Sequence, residues 1–298
     1  MLFKKLILIT SISTKVLVAF LVIVLTTSIA RAESSVWKIE KDNLTTYLGG
    51  TIHILRPSDY PLPLEFEQAY KVSKILAFEV DTNQLKSPGI ATHLFKMLYY
   101  DDERTIGSEV SPATYQQLEN YANSFDLSLD FMKKAKPAML MSAFMLSELK
   151  KIGINHQGID QFYLTRSLQD KKQIEFLETA EQQINFLADM GVGNEDIFYQ
   201  NMLRDLKNTQ QLFAEMIKYW RSGESVKLDS LVNQPMKKES AKIYQSLLVD
   251  RNNNWIPKIK KYLQTSETEF VLVGAAHLIG EDGIVNQLKK QGFKVTKL

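Results

Sequence analysis

Two short segments of this 298-residue chain carry the residues best suited to chemistry, and they end alike. Tyr47-Leu48-Gly49-Gly50-Thr51-Ile52-His53 and Phe270-Val271-Leu272-Val273-Gly274-Ala275-Ala276-His277 each run an apolar strand pattern into Gly-x-x-His, and they hold two of the four histidines. Glycine at a strand exit permits a sharp turn or a close backbone approach, so each motif can set an imidazole just past the carboxyl end of a buried strand. Two such placements suggest one shared site. A neutral imidazole is a good ligand for a borderline divalent cation, and a catalytic centre typically uses about three protein ligands and keeps a position open for water. The chain has no cysteine, so any metal must be held by histidine, carboxylate, amide or water. His53, His277 and a strand-end carboxylate meet the requirement, with Glu79 the preferred third ligand. Such a metal acidifies its water and polarises a carbonyl while a second carboxylate moves protons, which is metal-assisted hydrolysis.

Other residues invite roles around that centre. Glu178, at a second strand exit, can be a metal ligand, a hydrogen-bond partner of a ligating histidine or half of an ion pair. Arg251 carries a planar fork of donors suited to a carboxylate or a tetrahedral oxyanion, although a surface arginine on an amphipathic helix has the same sequence. Its neighbour Asn252 can orient a ligand through its amide. His156, in a loop before Gly158-Ile159-Asp160, can approach the site, whereas His93 lies in an apolar helical stretch and reads as structural. There is no His-Glu-x-x-His, no Gly-x-Ser-x-Gly elbow and no phosphate-binding glycine loop, so the familiar zinc-peptidase helix, serine hydrolysis and nucleotide chemistry find no support.

The elements that must position these groups read as a sheet built from both chain ends. Val36 to Ile39 and Thr45 to Thr51 predict strands joined by the turn Lys41-Asp42-Asn43. A helix over about Leu64 to Val72 and a strand from Ile75 to Asp81 follow, the latter exiting with two carboxylates. The carboxyl end repeats this order: strand Phe270 to Val273, a helix opened by Glu281-Asp282-Gly283 and ended by Gly292, and strand Phe293 to Thr296. Strand, crossover helix and strand form the parallel unit, whose ligands gather beyond the strands' carboxyl ends. Between lies a helical insertion over about 111–265, with one strand at Gln173 to Leu177. Pro137 starts a methionine-rich helix read as core, Asn194 caps a long helix through Trp220, and Pro235 begins another.

The first 32 residues form a leader. Lys4, Lys5 and Lys15 precede or border the apolar run Val16 to Val24, and Ala30-Arg31-Ala32 offers a small-x-small cleavage signal, so a secretory signal peptide cut after Ala32 is expected. An uncleaved anchor is the alternative, and the membrane then enters only through the leader. Residues 33–298 are expected to form a single domain, periplasmic or secreted. The leader takes four cations, leaving 32 of the chain's 36 basic side chains against 34 acidic ones. No basic stripe with interleaved aromatics recommends nucleic acid as a partner.

Taken in order, Leu48-Gly49-Gly50-Thr51-Ile52-His53, Phe78-Glu79-Val80-Asp81, Gly158-Ile159-Asp160, Phe176-Leu177-Glu178-Thr179 with Gln182, Arg251-Asn252 with Trp255, and Val273-Gly274-Ala275-Ala276-His277-Leu278 followed by Gly280 and Gly283 resemble the TraB/PrgY/GumN family, which includes the Tiki metalloproteases of animals. The resemblance implies an α+β or α/β fold akin to the erythromycin esterase and ChaN-like group, with a mixed central sheet from both chain ends and a large helical insertion. It implies a peptidase-like hydrolase acting on a peptide or protein, with manganese or cobalt favoured and zinc as another candidate, held by residues matching His53, His277 and Glu79. Glu79 would then complete the ligation or act as general base, and Arg251 and Asn252 would engage substrate or the developing oxyanion, with Glu178 in support. A binding protein that sequesters a peptide in the same pocket without cutting it is the alternative, and metal or haem handling follows only from the likeness to the ChaN-like group.

Overall fold

The computed structural model describes residues 34–84 and 87–298. The leader, with its apolar run and cleavage signal, lies outside the described residues. Beyond it, eight strands run in chain order: β1 (Val36–Lys41), β2 (Leu44–Thr51), β3 (Ile54–Leu55), β4 (Ile75–Phe78), β5 (His156–Gln157), β6 (Gln173–Phe176), β7 (Glu269–Gly274) and β8 (Lys294–Lys297). Six of them make one mixed sheet in the order β6-β4-β7-β2-β1-β8, and β3 pairs with β5 in a separate ribbon.

The expected hairpin opens the sheet. Asp42 and Asn43 take positive φ (49° and 67°), the handedness that lets a two-residue turn match the twist of paired strands, and short polar side chains tolerate it best. The chain ends meet where β1 pairs antiparallel with β2 on one side and β8 on the other. β2, β7, β4 and β6 run parallel, so their carboxyl ends share one edge. β7 lies between β2 and β4, with Gly50 opposite Val273 and Thr51 opposite Gly274. The two Gly-x-x-His motifs are therefore neighbours, one residue out of register. Central β4 and β7 are apolar and buried on both faces, including Leu76, Ala77, Phe270, Val271, Leu272 and Val273, as a parallel strand covered on both sides requires.

Helices cover the sheet. Leu64–Val72 matches its expected span; Phe66 packs 5.7 Å from Trp220 and 6.1 Å from Phe270 between ring centroids. Trp220 is fully buried and donates from Nε1 to the Gly50 carbonyl at 2.7 Å, so the insertion fixes the end of β2. A second core of Leu118, Leu140, Phe144, Tyr199 and Leu203 lies mostly within the insertion, with Ile106 joining it from just before; the methionine-rich helix Pro137–Lys151 packs there.

Two helix boundaries differ from the sequence reading. The helix expected from Asn194 through Trp220 is two helices, Glu195–Leu206 and Thr209–Arg221. Thr209 Oγ1 donates to the Leu206 carbonyl at 2.9 Å, supplying a local partner that interrupts the ladder without glycine or proline. Pro235 does not begin a helix but sits inside Ser225–Glu239. The true start follows Gly223, whose φ of 64° closes the preceding helix.

Candidate active site

Glu79 and Glu178 leave the parallel edge one residue beyond β4 and two beyond β6. The Glu178 N–H donates to the Glu79 carbonyl at 2.9 Å, extending the pairing far enough to bring both carboxylates to one place. Arg251 reaches them from the helix Arg251–Tyr262, which continues a π-helical turn, Gln245–Asp250. The polar run Arg251-Asn252-Asn253-Asn254-Trp255 divides by helical period: Arg251, Asn252 and Trp255 are buried, and the two middle asparagines face solvent.

Every N–H of Arg251 is committed. Nη2 donates to Glu79 Oε2 at 2.6 Å and to Glu178 Oε1 at 2.6 Å. Nε donates to Glu178 Oε2 at 3.1 Å, giving Glu178 a two-point grip. Nη1 donates to His277 Nε2 at 3.1 Å and the Leu247 carbonyl at 3.4 Å. A guanidinium has five donors, and these contacts use all of them. Its plane also lies 4.6 Å from the Trp255 ring. Arg251 therefore binds two buried carboxylates together and has no donor left over for a ligand.

Arg251 also sets the His277 tautomer. Arginine cannot accept, so Nε2 accepts and Nδ1–H donates to Asn252 Oδ1 at 2.8 Å. Asn252 in turn donates from Nδ2 to the His277 carbonyl at 3.2 Å and the Asp282 carbonyl at 3.0 Å. Asn252 thus holds His277 rather than a ligand. Trp255 covers the imidazole at 4.5 Å. Burial, joined by Arg251 and His53 and opposed by Glu79, drives the His277 pKa down to about 3, so the ring is neutral at ordinary pH.

Glu79 is ionised. Burial opposes its charge, yet Arg251, His53 and the Gly274 N–H, which donates to Oε1 at 2.6 Å, hold its pKa down at about 2. Burial raises the pKa of Glu178 in spite of the Arg251 hydrogen bonds. Gly274 sits close among these groups: a Cβ there would meet Glu79 Oε1 at a tight 3.3 Å and His277 Cδ2 and His53 Nε2 at ordinary contact distances of 3.7 Å and 3.9 Å. The three nominated metal donors thus gather around one glycine.

His53 differs from the rest. Its Nδ1 meets Asp160 Oδ2 at 2.8 Å, and Thr51 Oγ1 donates to Asp160 Oδ1 at 2.7 Å. Its side chain is 67% exposed. The Asp160 carboxylate raises the His53 pKa to about 9, against partial desolvation. With two-thirds of the side chain in water, screening trims what the neighbouring charges alone would give. Asp160 stands at the start of the helix Ile159–Gln169, and Gly158 makes this approach possible, since a Cβ there would lie 2.2 Å from the His53 carbonyl atoms. Asp160 had appeared in the sequence only inside Gly158-Ile159-Asp160, a signal of position without a role.

The donors do not fit a resident divalent metal as arranged. His277 Nε2 spends its lone pair on Arg251, and the guanidinium cation lies against both that nitrogen and Glu79. Among the described residues, no group of three or more histidine, cysteine or acidic side chains is arranged to hold a metal ion. His156 lies outside the cluster, exposed on β5 with its ring 5.5 Å from Tyr60. His93 sits in the helix Pro88–Leu98, its Nε2 buried without a hydrogen-bond partner.

A model of the TraB/PrgY/gumN family matches residues 35–297. The chain belongs to that family. The match spans both Gly-x-x-His motifs, the paired glutamates and Arg251, so this TraB/PrgY/gumN protein carries its buried ion cluster within the family's shared region. Among curated proteins and among solved structures, none matches it.

Proposed function

We propose that this TraB/PrgY/gumN protein is a hydrolase acting on a peptide or protein at the edge formed by β2, β7, β4 and β6. One observation carries the reading. The His53 side chain is 67% exposed and its Nε2 is not engaged by a hydrogen bond among the described residues, while Asp160 holds Nδ1, the arrangement of a histidine that moves protons. His53 Nε2 takes a proton from water as the water adds to a carbonyl, then returns it to the departing group; Asp160 orients the ring and stabilises the imidazolium. Glu79 lies beside the imidazole as a fixed negative charge. Arg251 and the Gly274 N–H keep that carboxylate ionised and in place, Glu178 and His277 hold Arg251, and Asn252 holds His277. Because Asp160 raises the His53 pKa, the unprotonated base grows with alkalinity and turnover rises toward pH 9.

Mass spectrometry of a peptide library incubated with the purified protein tests this. New termini that the parent produces and His53→Ala does not support it; stoichiometric capture without product favours the sequestering alternative. A second reading, a manganese, cobalt or zinc centre on His53, His277 and Glu79, is favoured by their gathering around Gly274 and requires Arg251 to release His277 Nε2. Elemental mass spectrometry after metal loading and desalting, beside the His53→Ala/His277→Ala double variant, decides it. On the leader at 1–32 we propose export to the periplasm or the medium, which the mature amino terminus would test.

A further inference from the structure

The contact between His53 and Asp160 depends on how residues 156–162 are held. β3 and β5 pair over only two residues each, Ile54 with Gln157 and Leu55 with His156, and an isolated two-stranded ribbon is marginal in water even at greater length. Beyond the ribbon, the Ile159 N–H donates to the Ile52 carbonyl at 3.1 Å. Water reaches the His53–Asp160 pair itself, since the imidazole is largely exposed, and an exposed ion pair adds little to its own ordering. Another contact must therefore keep Asp160 in place.

Tyr60 makes that contact on both sides of Asp160. Its Oη donates to the Gln157 carbonyl at 3.0 Å, one residue before the Gly158 that abuts the His53 backbone. Its ring meets His156 edge-on at 5.5 Å and Phe162 at a tilt, also at 5.5 Å, geometries that aromatic pairs favour. Burial raises the Tyr60 pKa to about 12, with the Asp160 and Asp59 carboxylates adding to it, so the hydroxyl stays a donor. Tyr60 is fixed in turn from the helical insertion. Arg221, the last residue of Thr209–Arg221, donates from Nη1 to the Asp59 carbonyl at 2.7 Å and from Nη2 to the Pro61 carbonyl at 3.1 Å, gripping the backbone before and after Tyr60. Arg56 holds the buried Asp59 carboxylate from Nε and Nη2 at 3.1 Å and 3.0 Å. Contacts thus run without a gap from Arg221 through Tyr60 and residues 156–162 to Asp160 and His53.

We propose that Tyr60 is a positioning residue for His53: its hydroxyl and ring hold residues 156–162 so that Asp160 stays on Nδ1, and Arg221 sets Tyr60 from the helical insertion. This role rests on the reading of His53 as the group that moves protons, but the contact is measurable without turnover. NMR of the imidazole C–H signals of the full chain, in buffer with a chelator, reads the His53 protonation constant. A carboxylate in contact raises that constant at least about tenfold, and a displaced Asp160 forfeits half of the effect or more on a logarithmic scale, so Tyr60→Leu should lower it about threefold or more. Tyr60→Phe keeps the ring contacts and should fall between the parent and Tyr60→Leu, and Arg221→Met should move the constant the same way. Phe144→Leu, which loosens the second core instead, should leave it unchanged. A fall of less than about threefold in a folded Tyr60→Leu, or an equal fall in Phe144→Leu, would overturn the proposal. Should Tyr60→Leu misfold, an unchanged constant in both Tyr60→Phe and Arg221→Met would overturn it. In a peptide-cleavage assay Tyr60→Leu should lose kcat and keep KM; a parent that cuts no peptide while its variants shift His53 as expected would sink the hydrolase reading alone.

Discussion

Replacing Arg251 with methionine keeps much of the apolar stem and removes all five donors, leaving Glu79 and Glu178 buried at 5% and 7% exposure with no cation between them. Breaking a buried ion pair from one side costs roughly 3–5 kcal/mol, because the partner's desolvation remains uncompensated. A domain of ordinary stability has about 5–15 kcal/mol in total, so the variant should be folded but fragile. The pH dependence separates this cause from simple loss of packing. In the parent, Glu79 has a folded pKa of about 2, below its ordinary value of 4.5. Its contribution is therefore present above the unfolded pKa and lost as pH falls toward 2. Glu178 has the opposite sign, since its raised pKa favours the folded state below the unfolded value and loses that benefit as pH rises. Without Arg251 both carboxylates resist ionisation, so both behave as Glu178 does. Urea unfolding of Arg251→Met should show the full loss at neutral pH and recovery of much of it near pH 4–5, where protonation relieves the buried charges. An equal deficit at both pH values, or a loss below about 1 kcal/mol, would refute the claim that Arg251 is the counter-charge of this cluster.

Four further outcomes follow from named contacts. Asp160→Asn should lower the His53 pKa from about 9 toward 6.5, followed by NMR titration of the imidazole C–H signals; the parent pair stabilises the fold below the unfolded His53 pKa and loses that contribution as pH rises through 9. His277 should show no titration above pH 5 in either protein. Gly158→Ala places a methyl 2.2 Å from the His53 carbonyl atoms and should cost about 1–3 kcal/mol in chemical denaturation while displacing His53 from Asp160. Asn252→Ala leaves the buried His277 Nδ1–H without its acceptor and should lower stability by about 1–3 kcal/mol in thermal unfolding.

Much of the fold was legible because its signals are local. Strand alternation, the Asp42-Asn43 turn and the span Leu64–Val72 depend on nearby residues and agree with the structure. The break at Lys207-Asn208 was not, since apolar periodicity runs across it without proline or glycine. Pro235 misled because proline is favoured in a helix's first turn, and only the Gly223 turn reveals the earlier start. Repeated Gly-x-x-His motifs and strand-end acids identified where His53, His277, Glu79 and Glu178 would meet. What each group does there was hidden, because spacing does not say which lone pairs and N–H groups are already engaged. Arg251 is the clearest case: its type suits an oxyanion, but Glu79, Glu178, His277 and Leu247 occupy every donor. Asp160 is the converse, a carboxylate more than 100 positions from His53 that becomes its partner only when Gly158 packs against the His53 backbone.

The most direct measurement is the production of new peptide termini by the parent and by His53→Ala, followed by mass spectrometry with and without a chelator. The account predicts termini from the parent under both conditions, increasing with pH toward 9, and none from the variant. Equal cleavage by His53→Ala, or no cleavage by a folded parent at any pH, would contradict a hydrolase that works through His53.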